Sequence, residues 1–466
     1  MNKAVRHAVT VSLALVVAVS GGPPASAADT TIFVDWTTSE RSVTDQAFGV
    51  NLYGGSSDLI SSQATYQSNL RHLDPGFVRF HYAGMTNSSA TDERGWVDEA
   101  QRTWDSAKIA RVFDNYQASG VTADILVNIP DFPSWMKRTT VTVGGESVQL
   151  LDPSEYDNYA IFCADLVRIL KAQNRGVDYI SITNEKDDQY YVKFKNAGQP
   201  DRMNELVTLY NKAAAAVKAE DPAVKVGGLE FARPDLTDSV TKFVQGATTL
   251  DFLPFHFYAT GDPWASNASV WDRTRDLGRH ARDIRGILNA NGRSSTQLIN
   301  SEYNINYTSQ QDYKQTLPEG AVYDALVWKQ SLENGASATA VWNDRDGYYG
   351  LMDNDANNSL RIVGQTFNLA NKHLTGTQVS AGPSTASDVE ALATKNGSRR
   401  TIMLVNRSEV DQVTSLYFTG YAGNGLFDRY EIARPYTQTN TTVRLTGNWE
   451  SITLPPSSVT FLVGTA

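Results

Sequence analysis

The chain has 466 residues, 41% hydrophobic and 20% charged, which supplies a sizeable core and argues against global disorder. Its 33 glycines and 16 prolines are ordinary fractions, so collagen-like and low-complexity classes fall away. Asp and Glu outnumber Lys and Arg by 51 to 41, and the resulting net charge of −10 speaks against nucleic acid as a partner.

The first segment reads as an export leader. Lys3 and Arg6 form a basic start, 9–19 is an apolar stretch, and Ala25-Ser26-Ala27 is a small-residue cleavage site. Residues 1–27 are therefore expected to be removed after Ala27 and the protein to be secreted to an extracellular setting. The apolar stretch is too short to span a bilayer, and no later run approaches about 18 apolar residues, so no membrane partner is expected.

A short strand follows at 31–36, within an N-terminal segment 28–45. From 46 to 375, apolar β-rich runs alternate with helical patterns. The predicted strands are 48–53, 77–82, 123–129, 179–183, 224–229, 252–258, 297–302 and 338–342; the clearest amphipathic stretches are 105–116, 153–172, 205–219, 270–288 and 321–332. Asp152 before Pro153 suits a helix start. Eight strand–helix units imply an α/β chain closed as a parallel (β/α)8 TIM barrel. From Gly376 the pattern turns to short strands at 378–380, 389–394, 401–406, 413–418, 428–432, 441–445 and 458–463. These predict an antiparallel β-sandwich over 376–466, joined by the stray N-terminal strand. No Pro/Ser-rich linker separates the two regions, so they are expected to pack together.

Neither metal nor redox chemistry stands out. Cys163 is the single cysteine, which excludes an intramolecular disulfide, and its apolar helical surroundings predict a buried, inert thiol. The histidines lack zinc-protease spacing. The run Asp353-Asn354-Asp355 begins like a calcium loop, but Asn358 stands where glycine is needed and Gly364 where the bidentate Glu is needed, so a solvated turn is expected.

The chemistry of such a barrel belongs at the carboxyl ends of its strands. The fourth strand ends in Thr183-Asn184-Glu185 and the seventh in Asn300-Ser301-Glu302. Two carboxylates at one mouth are what glycoside hydrolysis requires: an acid to protonate the leaving oxygen, and a carboxylate to meet the oxocarbenium-like centre. A barrel that only binds carbohydrate is the competing reading, but it has no need of both.

On these residues the chain resembles the retaining glycoside hydrolases of clan A, whose pattern is Asn-Glu after the fourth strand and Glu after the seventh. The sandwich makes it look most like family 39, with families 30, 51 and 79 as neighbours, although Thr183-Asn184-Glu185-Lys186-Asp187 lacks the proline common in family 39. The resemblance implies Glu185 as acid/base and Glu302 as nucleophile. It implies Asn184 on the sugar 2-hydroxyl, Arg79 keeping the nucleophile ionised, and Tyr258 of His256-Phe257-Tyr258 on the nucleophile. Trp342 would floor the reactive subsite, and His256 is either a substrate contact or a hydrogen-bonded core residue. Asn51, Tyr53, Asn128, Asp131 and Asp344 also fall at strand ends, where substrate contact is expected from position alone. Tyr190-Tyr191, the insertion 133–150 and Tyr348-Tyr349 are expected to wall the cleft. The implied mechanism is double displacement on a carbohydrate substrate without cofactors. Endo and exo action both stay open.

Overall fold

The computed structural model describes residues 30–88, 93–308, 313–385, 387–421, 425–435, 437–445 and 449–465; the expected leader lies outside them. Among the described residues no helix is long and apolar enough to cross a membrane.

Eight parallel strands close into a barrel: β1 (Gly49–Asn51), β2 (Phe77–Phe80), β3 (Asp124–Ile129), β4 (Tyr179–Ile182), β5 (Lys225–Gly228), β6 (Phe252–Thr260), β7 (Gln297–Asn306) and β8 (Ala338–Val341). Each strand pairs with its neighbour in sequence, and β8 closes on β1 through Ala340↔Gly49 and Val341↔Val50. A helix follows every strand. Asp105 starts the second of them, its carboxylate accepting from Lys108 N at 2.8 Å, and Asp152 accepts from Ser154 N at 3.1 Å ahead of the third. Helices Ala64–Leu73, Thr237–Gly246 and Ile362–His373 were not among the predicted amphipathic stretches. The first two are only 10 residues long and bury three apolar side chains each, too short a pattern to stand out although Val240, Phe243 and Val244 keep helical spacing.

The floor of the barrel is a layer of Phe77, Leu126, Tyr179, Phe252, Ile299, Ala338 and Ala340. Gly227 makes room in it, because a Cβ there would lie 2.8 Å from the Phe252 ring. Above this floor the interior turns polar, and the strand ends carry the site.

One strand departs from regularity where it matters. Phe255 on β6 pairs with Asn300 on β7, but His256 pairs with Glu302, so Ser301 is an extra residue in β7. In a regular strand neighbouring side chains point to opposite faces. The bulge breaks that alternation. Asn300 reaches outward to Ser331 of a surrounding helix, while Ser301 and Glu302 both engage groups inside the barrel.

The second region is a path of nine hydrogen-bonded strands with Arg41–Val43 attached to Gly376–Pro383, and its inner faces enclose Ile32, Val34, Val379, Leu404, Phe418 and Leu462. The sandwich is not wholly antiparallel, as predicted, but mixed. Thr30–Asp35 lies antiparallel to Gly376–Pro383 and parallel to Gln412–Thr419. Strand Trp449–Leu454, absent from the prediction, covers the far side of Gln412–Thr419. The two regions share helix Pro318–Glu333, which is buried on nearly all sides because it packs against β7 and β8 on one face and sandwich strands on the other. Around it Glu390 of the sandwich faces Lys329, Arg275 and Arg407.

Cys163 is fully buried in helix Tyr156–Ala172, and burial pushes its thiol pKa up. The 353–359 segment is a turn in which Asp355 accepts from the Asn357 and Ser359 amides and Arg361 pairs with Asp353. Insertion 133–150 contains a hairpin, Arg138–Val143 with Glu146–Leu151, turning at Gly144 and Gly145 with φ of 57° and 90°.

Candidate active site

At the carboxyl end of the barrel opens a cleft of about 1080 Å³. Glu185 and Glu302 both line it. One carboxylate oxygen of each and a ring nitrogen of His256 lie within 4.8 Å of one another.

Glu302 is held from several directions. Arg79 on β2 donates from Nη1 to its Oε2 at 3.0 Å, and Tyr258 on β6 donates its hydroxyl to Oε1 at 2.7 Å. Burial would raise its pKa, but the charges of His256 and Arg79 and the Tyr258 bond together hold it below the ordinary carboxylate value. Arg79 itself is fully buried and also donates to Asn51 Oδ1 at 2.5 Å and Asn184 Oδ1 at 2.6 Å. The ring of Trp342 stands across the cleft against Tyr53 and His81, each with centroids 5.5 Å away.

Glu185 is the more open of the pair, with its side chain 41% exposed. Its backbone sits at φ 54°, an uncommon conformation for a non-glycine, and its amide donates to the carbonyls of Leu229 and Glu230 just past β5. Two residues on, Asp187 is fully buried and accepts from the amides of Ala232 and Arg233, at 3.1 Å each. Burial raises its pKa to about 7 against the pull of those two bonds. The loops after β4 and β5 are thus tied together beneath Glu185.

His256 connects the cluster. Its Nδ1 lies 2.8 Å from Glu185 Oε1 and its Nε2 3.2 Å from Glu230 Oε2. Burial alone would lower its pKa, but Glu302, then the bonds to Glu185 and Glu230, raise it to about 10. Each ring nitrogen thus faces a carboxylate, an arrangement that suits an imidazolium donating at both.

Neither a protein-family model nor a curated protein sequence matches the chain. Solved structures do. An α-L-arabinofuranosidase from Thermotoga maritima aligns with a TM-score of 0.68 at 13% identity, over 94% of this chain and 100% of that one. A family 39 glycoside hydrolase from Xanthomonas axonopodis pv. citri gives 0.64 at 17% identity, over 94% and 98%. A family 30 endoxylanase from Clostridium papyrosolvens gives 0.63 at 14%, over 94% and 100%. The fold is that of the clan A glycoside hydrolases. The likeness spans barrel and sandwich together.

Within that fold the strand-end residues separate into two groups. Asn184, Tyr258, Trp342, Tyr53 and Asp131 line the cleft, as expected. Asn51, Asn128 and Asp344, expected to meet substrate, are fully buried and do not line it. Asn51 donates to the carbonyls of Ser301, Ala340 and Val341, pinning β1 to β7 and β8. Asn128 joins His81 to the end of β4. Asp344 accepts from the Gly54 and Gly55 amides and from Tyr66. His256, expected on substrate or in the core, lines the cleft but has both nitrogens occupied by carboxylates. Tyr190 and Tyr191 are buried, and no residue of 133–150 lines the cleft.

Two site groups escaped the sequence reading. Glu230 follows β5 and His81 follows β2, so each carries the strand-end signal that marked Glu185 and Glu302. Glu230 is wholly buried and accepts from Arg79 Nε at 3.4 Å, His256 Nε2 and Ser301 Oγ.

Proposed function

We propose that the protein is a retaining O-glycosyl hydrolase acting on a polysaccharide or oligosaccharide by double displacement. The observation that carries this reading is the closeness of the Glu185 and Glu302 carboxylates in one open cleft. A retaining pair stands about 5–5.5 Å apart, whereas inversion needs about 6.5–9.5 Å to admit a water. The different surroundings of the two carboxylates support different roles.

In this reading Glu302, kept ionised by Arg79 and Tyr258, attacks the anomeric carbon as the glycosidic bond breaks. Glu185 gives its proton to the leaving oxygen. Water then enters, loses a proton to Glu185 and displaces Glu302, so the configuration is retained. Asn184 takes the sugar 2-hydroxyl and Trp342 supplies the apolar floor. The xylan-directed and arabinofuranoside-directed relatives favour a β-linked or arabinofuranosyl linkage in plant cell-wall glycan. Secretion enters the proposal from the leader pattern alone, and N-terminal sequencing of protein recovered from a culture supernatant tests it. The sandwich is read as an integral partner of the barrel.

The test is incubation with a panel of aryl glycosides and polysaccharides, following the anomeric configuration of first-formed product by proton NMR. First release of the retained anomer is expected. Release of the inverted anomer, or no turnover across the panel, rejects the mechanism.

A further inference from the structure

The cluster contains one carboxylate more than double displacement requires. Glu230 has no access to the cleft, yet it sits at φ 55° at the end of β5 and touches groups that hold both members of the catalytic pair. Its carboxylate meets Arg79, which holds Glu302 and Asn184. It meets His256, which holds Glu185. It also accepts from Ser301, the extra residue that turns Glu302 inward. Finally, its own carbonyl accepts the amide of Glu185 at 3.0 Å.

We propose that Glu230 is a positioning residue for the reaction read above: by accepting Nε2–H of His256 it keeps the ring a donor at both nitrogens, so that Nδ1–H holds and orients the acid/base carboxyl of Glu185. A buried carboxylate whose task was only to neutralise Arg79 would need no imidazole, since Glu302 already pairs with that guanidinium at 3.0 Å. Without Glu230, a neutral His256 could turn either nitrogen bare toward Glu185. The charged groups facing His256 are Glu185, Glu230 and Glu302, with Arg79 and Asp187 beyond them. Of the three carboxylates that His256 meets directly, Glu230 is the one wholly buried and outside the reacting pair. Its burial would raise its pKa, but Arg79 and His256 lower it to about 2, so it stays charged throughout the working range.

The proton balance follows. In the first step Glu185 loses its proton to the leaving oxygen, and Nδ1–H of His256 remains to bind the new carboxylate. In the second, Glu185 takes one proton from water and the starting state returns. Glu230 keeps its charge in both, so it acts through His256 and not on the substrate.

The test compares wild type with Glu230→Gln and Glu230→Asp. In wild type, 15N NMR is expected to find one buried imidazole, assigned by its loss in His256→Gln, protonated at both nitrogens at neutral pH. In Glu230→Gln that signal is expected to titrate lower, and the alkaline limb of kcat/KM to move to lower pH, because removing a negative neighbour favours loss of the shared proton. Loss of oriented acid catalysis is expected to cost about 100-fold on aryl glycosides with poor leaving groups, little on those needing no protonation, and more in kcat than in KM. Glu230→Asp, keeping the charge, is expected to restore the pH profile in part. An imidazole that titrates normally in wild type overturns the proposal even if no variant folds. So do equal losses on both classes of leaving group with an unmoved limb. If wild type turns over no glycoside, the functional reading falls, while the NMR result still decides the role of Glu230.

Discussion

Tyr258 donates its hydroxyl proton to Glu302 at 2.7 Å, on the opposite carboxylate oxygen from the one that Arg79 engages. Glu302, the proposed nucleophile, is thereby fixed in orientation as well as in charge. Tyr258→Phe removes one charge-assisted bond while leaving the ring in place. A loss of about 10- to 100-fold in kcat/KM is expected, with the thermal midpoint nearly unchanged, as steady-state kinetics and calorimetry would show.

Removing either carboxylate should separate the two chemical steps. Glu302→Ala and Glu185→Ala are each expected to reduce turnover by at least about 1000-fold on unactivated glycosides with the fold intact. Added azide should restore Glu185→Ala on activated aryl glycosides with retained configuration, and Glu302→Ala with inverted configuration. The product anomers read by NMR check the assignment of the two roles.

Arg79, fully buried, pairs with both Glu230 and Glu302. Arg79→Leu leaves two carboxylates facing each other in the barrel, and a loss of roughly 3 to 5 kcal/mol in unfolding free energy is expected. Denaturant titration measures it. A loss below about 1 kcal/mol would mean that the neighbouring imidazolium already compensates both charges.

The two histidines of the cluster pull stability in opposite directions with pH. His256 is raised from 6.5 to about 10, so the folded chain keeps a proton that the unfolded chain releases; this contribution is complete below pH 6.5 and is lost as pH rises toward about 10. Burial foremost, then Arg79, lowers His81 from 6.5 to about 3. Below pH 6.5 the unfolded chain therefore gains a proton that the folded chain refuses, and stability falls toward pH 3. Thermal midpoints across pH should decline less on the alkaline side for His256→Gln than for wild type, and less on the acid side for His81→Gln.

Deleting 376–466 exposes the sandwich-facing side of helix Pro318–Glu333, which is buried on nearly all sides in the full chain. The truncated barrel is expected to aggregate on expression, as size-exclusion chromatography would reveal. A soluble, active barrel that loses only polymer binding would identify the sandwich as a detachable module.

Much of this architecture was legible because parallel strands buried on both faces leave continuous apolar runs, and those runs end where the chemistry begins. Glu185 and Glu302 were readable for that reason. Glu230 ends a predicted run of the same kind, but nothing local shows that its side chain turns inward toward Arg79 and His256. Asn51, Asn128 and Asp344 stand at strand ends like the cleft residues. Depth below the rim separates them, and depth depends on stagger between strands that are distant in sequence. The parallel pairing of Thr30–Asp35 was illegible for the same reason: its partner lies nearly four hundred residues away.

The extra residue in β7 makes the position of Glu302 a matter of counting. Drawn into the regular ladder opposite His256, Ser301 would take the inward place, and Glu302 would swing from the barrel interior toward the surrounding helices with its chemistry unaltered. Substitutions along this strand can be graded by size and polarity, but a shift of one residue in its register has no mild form. The place of this carboxylate is written in the spacing of the backbone, and one step of register separates the cleft from the outer wall of the barrel.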